Sequence, residues 1–156
     1  MKLKNLLIVF LLSATAFLTT ASAQSYRSSF GLRMGYDNGL SLKHFVSPSS
    51  AFDGILSFSP NHFQLTGLYI YQQPMHNAPG LDWFVGGGAH LGAVYEKGYD
   101  GSKALIGADL IGGLEYTFPI APFSISLDWK PSFNFSNGYN SNWYASLGLS
   151  LRYTFR

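Results

Sequence analysis

The sequence predicts an all-β protein: an eight-stranded antiparallel up-and-down transmembrane β-barrel that follows a cleaved signal peptide. Three observations predict it. Segments of about ten residues alternate apolar with small or polar at a period of two, which only an extended strand satisfies. The charged side chains inside those segments all stand on the less apolar parity of their strands, and none stands on the aromatic one. Charged residues make up only 12% of the chain, about half the quarter that is usual in soluble domains.

Residues 1–23 are set apart. Lys2 and Lys4 precede an apolar run from Leu6 to Leu12, and Ala21-Ser22-Ala23 closes it. A charged start, an apolar stretch and an A-x-A site read as a secretory leader cut before Gln24, leaving residues 24–156 as one barrel domain. The run is shorter than the roughly 20 apolar residues of a spanning helix. The chain has ten Lys and Arg and eight Asp and Glu; without the two leader lysines it is formally neutral. Nothing in that balance favours nucleic acid. The absence of cysteine excludes a disulfide framework, a thiolate metal site, a cysteine nucleophile and a lipidated N-terminal cysteine.

The first strand, 27–36, alternates Phe30, Leu32, Met34 and Tyr36 with Gly31, Arg33 and Gly35, and Asp37-Asn38-Gly39 turns the chain. The second, 40–46, sets Leu40, Leu42 and Val46 against Ser41 and Lys43, with His44 on the apolar parity and Phe45 on the polar one. The third, 51–58, carries Phe52, Leu56 and Phe58 against Asp53, Ile55 and Ser57. The fourth, 63–71, carries Phe63, Leu65, Tyr69 and Tyr71 against Gln64, Thr66, Leu68 and Ile70, so both of its faces are partly apolar.

After a proline-containing connection, 72–80, the fifth strand spans 81–95. It sets Trp83, Val85, Leu91 and Tyr95 against Asp82, Gly86, Gly88, His90 and Gly92. The sixth, 104–118, sets Ile106, Leu110, Leu114, Tyr116 and Phe118 against Asp109, Gly113, Glu115 and Thr117. The seventh, 123–135, alternates Phe123, Ile125, Leu127, Trp129 and Phe133 with Ser124, Ser126, Asp128, Lys130 and Ser132. The last begins at Trp143: Trp143, Ala145, Leu147, Leu149, Leu151, Tyr153 and Phe155 alternate with Tyr144, Ser146, Gly148, Ser150, Arg152 and Thr154, mostly small or polar.

Eight strands of this length match tilted membrane crossings, and closure leaves no edge unpaired in hydrocarbon. In a soluble barrel the apolar face points inward; in a membrane barrel the faces are reversed. Aromatics at the strand ends favour the second arrangement: Phe30, Tyr36, Trp83, Tyr95, Tyr116, Phe118, Phe123, Trp129, Trp143, Tyr153 and Phe155 are expected to form interfacial girdles. Arg33, Lys43, Asp53, Asp82, His90, Asp109, Glu115, Asp128, Lys130 and Arg152 are then expected inside as a mutually compensating network.

On these residues, and most specifically on Leu151, Tyr153 and Phe155 in the terminal strand, the chain resembles the small eight-stranded outer-membrane barrels of Gram-negative bacteria, the OmpA-transmembrane and OmpX type. The resemblance implies an outer-membrane location, contact with lipid and lipopolysaccharide, and delivery by the outer-membrane assembly machinery through the C-terminal strand. It also implies a monomer, with both termini periplasmic and residues 37–39, 59–62, 96–103 and 136–142 outside.

Catalytic readings are weaker. His90 with the inward carboxylates could serve as a base with an orienting acid. No His-x-Ser occurs as in lipid A deacylase barrels, and His44 and Ser47 fall on opposite faces of a strand. Residues 86–92 lack the third glycine of G-x-G-x-x-G and lie in a strand pattern; their inward glycines make room for bulky neighbours or let the sheet bend. Pro131 marks a strand end, a bulge or a weak point in the wall. An ion path would need a wet lumen, which inward Phe84, Val94, Ile111 and Tyr144 are expected to block.

The function expected is therefore non-catalytic, without cofactor or metal: a structural or surface-interaction barrel acting through external loops, with Tyr99, Tyr139 and Trp143 as contact aromatics. A lipid-modifying outer-membrane enzyme and a soluble periplasmic ligand-binding barrel are the alternatives.

Overall fold

The structure, a computed structural model, describes residues 25–95, 98, 101–136 and 143–156. The leader with its cleavage site at Ala23, and the loop aromatics Tyr99 and Tyr139, lie outside the described residues. Eight strands follow one another: β1 (Ser28–Gly35), β2 (Gly39–Ser47), β3 (Ser50–Ser59), β4 (His62–Pro74), β5 (Leu81–Tyr95), β6 (Ser102–Thr117), β7 (Phe123–Asn134) and β8 (Trp143–Phe155). Each pairs antiparallel with its sequence neighbour, and β1 pairs with β8 to close the barrel. All-β, up-and-down and eight-stranded are thus what the alternation predicted.

The registers fix the shape. The cross-strand partners starting at Phe30 run through Leu42, Gly54, Gly67, Ala89, Ala108, Phe133 and Trp143. Continued along the β8–β1 register, they return to the first strand about ten residues further on, and such a stagger forces the strands to tilt. An eight-stranded barrel of this kind has an interior just wide enough for side chains.

The period-two pattern decides which side chains fill it. Phe30, Leu32, Leu42, Leu127, Leu147 and Leu151 point outward with about half their surface exposed, whereas Arg33, Lys43, Lys130 and Arg152 are fully buried. The outer wall between the strand ends is apolar apart from Ser28 and His44 near the chain termini. The doubly apolar β4 is resolved by the same rule: Leu68 and Ile70 turn inward and pack with Ile55, Phe84 and Ile111. Parity also holds through Phe45, which turns inward against Tyr26 at a ring separation of 5.3 Å; the register slips only afterwards, between Phe45 and Ser47.

One sequence expectation needs correction. Pro131 does not end a strand. It lies inside β7, and the β6–β7 ladder is interrupted between the pairs Asp109–Ser132 and Gly112–Trp129. The bonds Phe118 N to Phe123 O and Phe135 N to Ile106 O set the phase of that ladder. Leu110 opposite Pro131 falls on a hydrogen-bonded position, where proline has no N–H to give. Val94 and Tyr144, expected with Phe84 and Ile111 to obstruct the lumen, line a cavity at its mouth.

Restoring the missing donor should strengthen the wall. Pro131→Ala should raise the unfolding free energy in detergent by about 1 kcal/mol, the gain of one hydrogen bond in a site without competing water. Urea titration would read it, together with slower amide exchange around Ile111; an unchanged or lower midpoint would show that the ladder gap is not a source of weakness.

Candidate functional site

The inward side chains form three tiers, and each rests on strands that the alternation places side by side. The tier nearest the chain termini centres on Glu115 of β6. Its Oε2 accepts from Lys43 Nζ at 3.1 Å and Arg152 Nη1 at 2.9 Å, and its Oε1 accepts from the Tyr26 hydroxyl at 2.5 Å and Gln72 Nε2 at 2.9 Å. Arg152 spends its other donors on Ser41, Ser126 and Asp53, the last at 3.1 Å. Gln72 links the group to Asp82 at 2.9 Å. Tyr26 precedes β1 and corks this end. Burial, reinforced by the Glu115 carboxylate, pushes its phenol well above the ordinary range, so it remains a donor.

The middle tier joins Arg33 to Asp128 through one guanidinium nitrogen, at 2.6 and 2.5 Å from the two carboxylate oxygens. Gly148 makes this possible: a Cβ there would overlap the Arg33 guanidinium. Across the lumen at this height stands the apolar cluster of Ile55, Leu68, Ile70, Phe84 and Ile111, with Phe84 and Ile111 in the place where the sequence expected a block.

The tier at the mouth is built on β5, β6 and β7. Lys130 Nζ lies 3.4 Å from Asp37 Oδ2, 3.6 Å from Asp109 Oδ1 and 3.3 Å from Ser132 Oγ. His90 contacts Asp109 through Nδ1 at 2.8 Å and Asn134 through Nε2 at 2.9 Å, and Ser132 donates to the other Asp109 oxygen. Above it opens a cavity of about 140 Å³ lined by Tyr36, Asp37, His62, Gln64, Val94, Leu105, Asn134 and Tyr144.

The structure therefore places Arg33, Lys43, Asp53, His90, Asp109, Glu115, Asp128, Lys130 and Arg152 inside and buried, and Asp82 half-buried at the lumen base. It adds four residues that the sequence did not single out: Tyr26, Asp37, Gln72 and Asn134. Asp37 was hidden by its place in a turn, and Gln72 by its place at the start of a proline-containing connection. With Asp37 the lumen holds, among the described residues, four basic and six acidic side chains, so it is more acidic than the strand pattern alone indicated.

The aromatic set lies on the outer wall. Phe30, Trp83, Tyr116, Phe118, Phe123, Tyr153 and Phe155 gather at the end holding the chain termini, where Phe123, Tyr153 and Phe155 stack edge to face. Tyr95 and Trp143 stand at the other end, whereas Tyr36, expected in the girdle, lines the mouth cavity with its ring 5.9 Å from that of the inward Tyr144. Trp129 is also outward, but it sits midway along β7 opposite Leu147, between the two belts.

As catalytic geometry the site is poor. His90 Nε2 faces Asn134, and the nearby hydroxyl of Ser132 is bonded to Asp109, so no nucleophile adjoins the imidazole. On the outer wall His44 meets Ser28 at 2.8 Å, not Ser47, and its other cross-strand neighbour is Phe52, so no acid orients it. Among the described residues no group of three or more His, Cys, Asp or Glu could hold a metal ion.

This architecture, a closed eight-stranded barrel with an apolar exterior and an ionic interior, defines the chain as having the fold of the small outer-membrane barrels. The chain superposes on the N-terminal β-barrel domain of Pseudomonas aeruginosa OprF with a TM-score of 0.61 at 16% identity, covering 85% of this chain and 100% of that one. It superposes on Neisserial surface protein A (NspA) with a TM-score of 0.59 at 12% identity, covering 82% and 93%. No protein-family model matches the sequence, and no curated protein matches it.

Four partners on one carboxylate make Glu115 the member whose loss should be felt most. Glu115→Leu strands Lys43 and Arg152 and should lower the unfolding free energy in detergent by about 3–5 kcal/mol. Asp82→Asn, at the partly exposed rim of the same tier, should change it by less than about 1 kcal/mol. Equal urea midpoints for the two variants would contradict this hierarchy.

Proposed function

We propose that the chain is an outer-membrane barrel without catalysis or cofactor, whose function is structural or interactive and is exercised at the end remote from its termini. The observation that carries this reading is the inversion of faces. Apolar side chains cover the outer wall between two aromatic belts while, among the described residues, nine acidic and basic side chains are buried inside and Asp82 is half-buried; water outside would leave an exposed apolar band far larger than a soluble monomer carries, whereas hydrocarbon outside matches it. An interior of charges and serines also suits no apolar ligand, which speaks against a soluble carrier. The absence of a nucleophile–base–acid arrangement among the described residues speaks against a lipid-modifying enzyme.

The orientation proposed is the one that the resemblance to the small outer-membrane barrels implies, with both termini periplasmic. The turns at Asn38 and Asn61 and the long β5–β6 hairpin belong to one end, and the turns at Ser49, Ala78 and Ala121 belong to the end with both termini. With the termini periplasmic, the cavity at the mouth opens to the outside. Lipid and lipopolysaccharide surround the wall, the final strand serves as the assembly signal, and the barrel works as a monomer.

The cysteine-free sequence makes a clean test. Asn61→Cys should react with an impermeant maleimide on intact cells, and Ala121→Cys only after lysis. The protein should fractionate with the outer membrane and run differently on gels before and after boiling. Reaction at Ala121 alone would reverse the orientation, and a soluble, unshifted band would overturn the membrane reading.

A further inference from the structure

The mouth cavity contains chemistry that a purely structural barrel does not use. We propose that it is a binding site for a single neutral sugar ring; this rests on the preceding reading only in that such a ligand would arrive from outside.

Four observations point there. The cavity measures about 140 Å³, on the order of ten water-sized volumes, which suits one small polar molecule and is too little for an acyl chain. Asp37 is 97% buried, since it retains 3% of its exposure, yet its Oδ2 accepts no hydrogen bond; only the long ion pair to Lys130 addresses it. A buried carboxylate oxygen in that state gains most from a donor delivered into the cavity. Around it stand planar polar groups, the amides of Gln64 and Asn134 and the imidazole of His62, with the hydroxyl of Tyr144 donating to Gln64 at 3.3 Å. Tyr36 and Tyr144 bring two rings to the same wall, with centroids 5.9 Å apart.

Lys130 decides the charge of the ligand. Its ammonium is 3.4 Å from Asp37 Oδ2, with which it is ion-paired, and 5.9 Å from the Tyr144 ring centroid, so an organic cation entering the cavity would meet a like charge. An anion would meet Asp37 itself. A polyhydroxylated ring meets neither objection. Its hydroxyls donate to Asp37 and accept from the amides, and its C–H face lies on an aromatic ring, which supplies apolar contact. Asp37 would then be the orienting acceptor, Asn134 and Gln64 the partners of neighbouring hydroxyls, and Tyr36, at 72% exposure, the outer wall of the site.

The test is saturation-transfer NMR on the full mature barrel in nanodiscs, which reports binding whatever the orientation in the cell. The probes are free hexoses and heptoses, the core oligosaccharide released from lipopolysaccharide, and an unrelated glycan of similar size. Transfer to ring protons of at least one probe is expected. Asp37→Ala should weaken binding by about tenfold or more, the loss of one charge-assisted hydrogen bond, and Tyr36→Ala should weaken it several-fold. Both variants should keep the heat-dependent gel shift; if Asp37→Ala loses it, Tyr36→Ala, altered only at an exposed ring, carries the test. Response to the core oligosaccharide alone identifies a sugar of the cell's own surface, and response to the unrelated glycan identifies a foreign one; either supports the site. No transfer to the wild type, or transfer unchanged in both variants, overturns it. Labelling at Asn61 on intact cells fails independently if the orientation is wrong.

Discussion

The pairing of β1 with β8 is the constraint on which everything else depends. Eight residue pairs, from Ser28–Phe155 to Gly35–Gly148, join the two ends of the chain. Without them both strands would present unpaired N–H and C=O groups along an open sheet edge. Closure also fixes the stagger, and the stagger fixes which inward positions meet. Arg33 on β1 finds Asp128 on β7 because β8 between them offers Gly148, which leaves the guanidinium space to cross.

Within the closed ring, partners are dense around Arg152 and Glu115 and sparse around Arg33, which bonds Asp128 through one nitrogen and leaves two without a partner. Arg152 touches two carboxylates and two serines, and Glu115 touches four donors. An isolated charge at either position would carry a desolvation penalty of several kcal/mol. The tiers differ in how completely they are satisfied. At the base the Glu115 group is saturated and corked by Tyr26, whereas at the mouth Lys130 is shared by two carboxylates at 3.4 and 3.6 Å and Asp37 keeps an oxygen without a hydrogen bond. Full satisfaction therefore belongs to the Glu115 group and not to a whole end of the barrel: the hydroxyls of Ser29, Thr117, Ser124, Ser150 and Thr154, two Arg33 nitrogens and Asp37 Oδ2 have no hydrogen-bond partner, and between base and mouth the Arg33–Asp128 pair and the apolar cluster fill the waist. A polar lumen interrupted in this way has the character of a packed core, not a pore.

The wall is less uniform than the alternation suggests. Proline at position 131 removes a donor from the β6–β7 ladder and leaves Leu110 without its cross-strand N–H, close to the Lys130 that serves the mouth. The same alternation explains features that look like exceptions. Phe45 and Ile70 occupy polar parities because the interior needs apolar filling at two heights, beside Tyr26 and beside Phe84. His44 and Ser28 take outward places where the chain termini bring the wall to its edge.

Much of the fold was legible in the sequence because a strand's side-chain period is two and admits no drift: once Trp143 points out, Arg152 must point in. The same arithmetic placed Arg33, Lys43, Asp53, Asp109, Glu115, Asp128 and Lys130 on one face. What it could not determine is which of them meet, since partners such as Glu115 and Lys43 lie 72 positions apart and are joined only by the stagger of the closed barrel. Nor could it find Asp37, which lies in a turn, Tyr26, which precedes the first strand, or Gln72, which continues the inward parity of β4 beyond the strand end expected at Tyr71. The sequence by itself determined strands, faces and the enclosure of charge, through local periodicity. Only the tertiary structure decided the tiers, the blocked waist and the half-satisfied cavity at the mouth, because those depend on register and distance across the lumen.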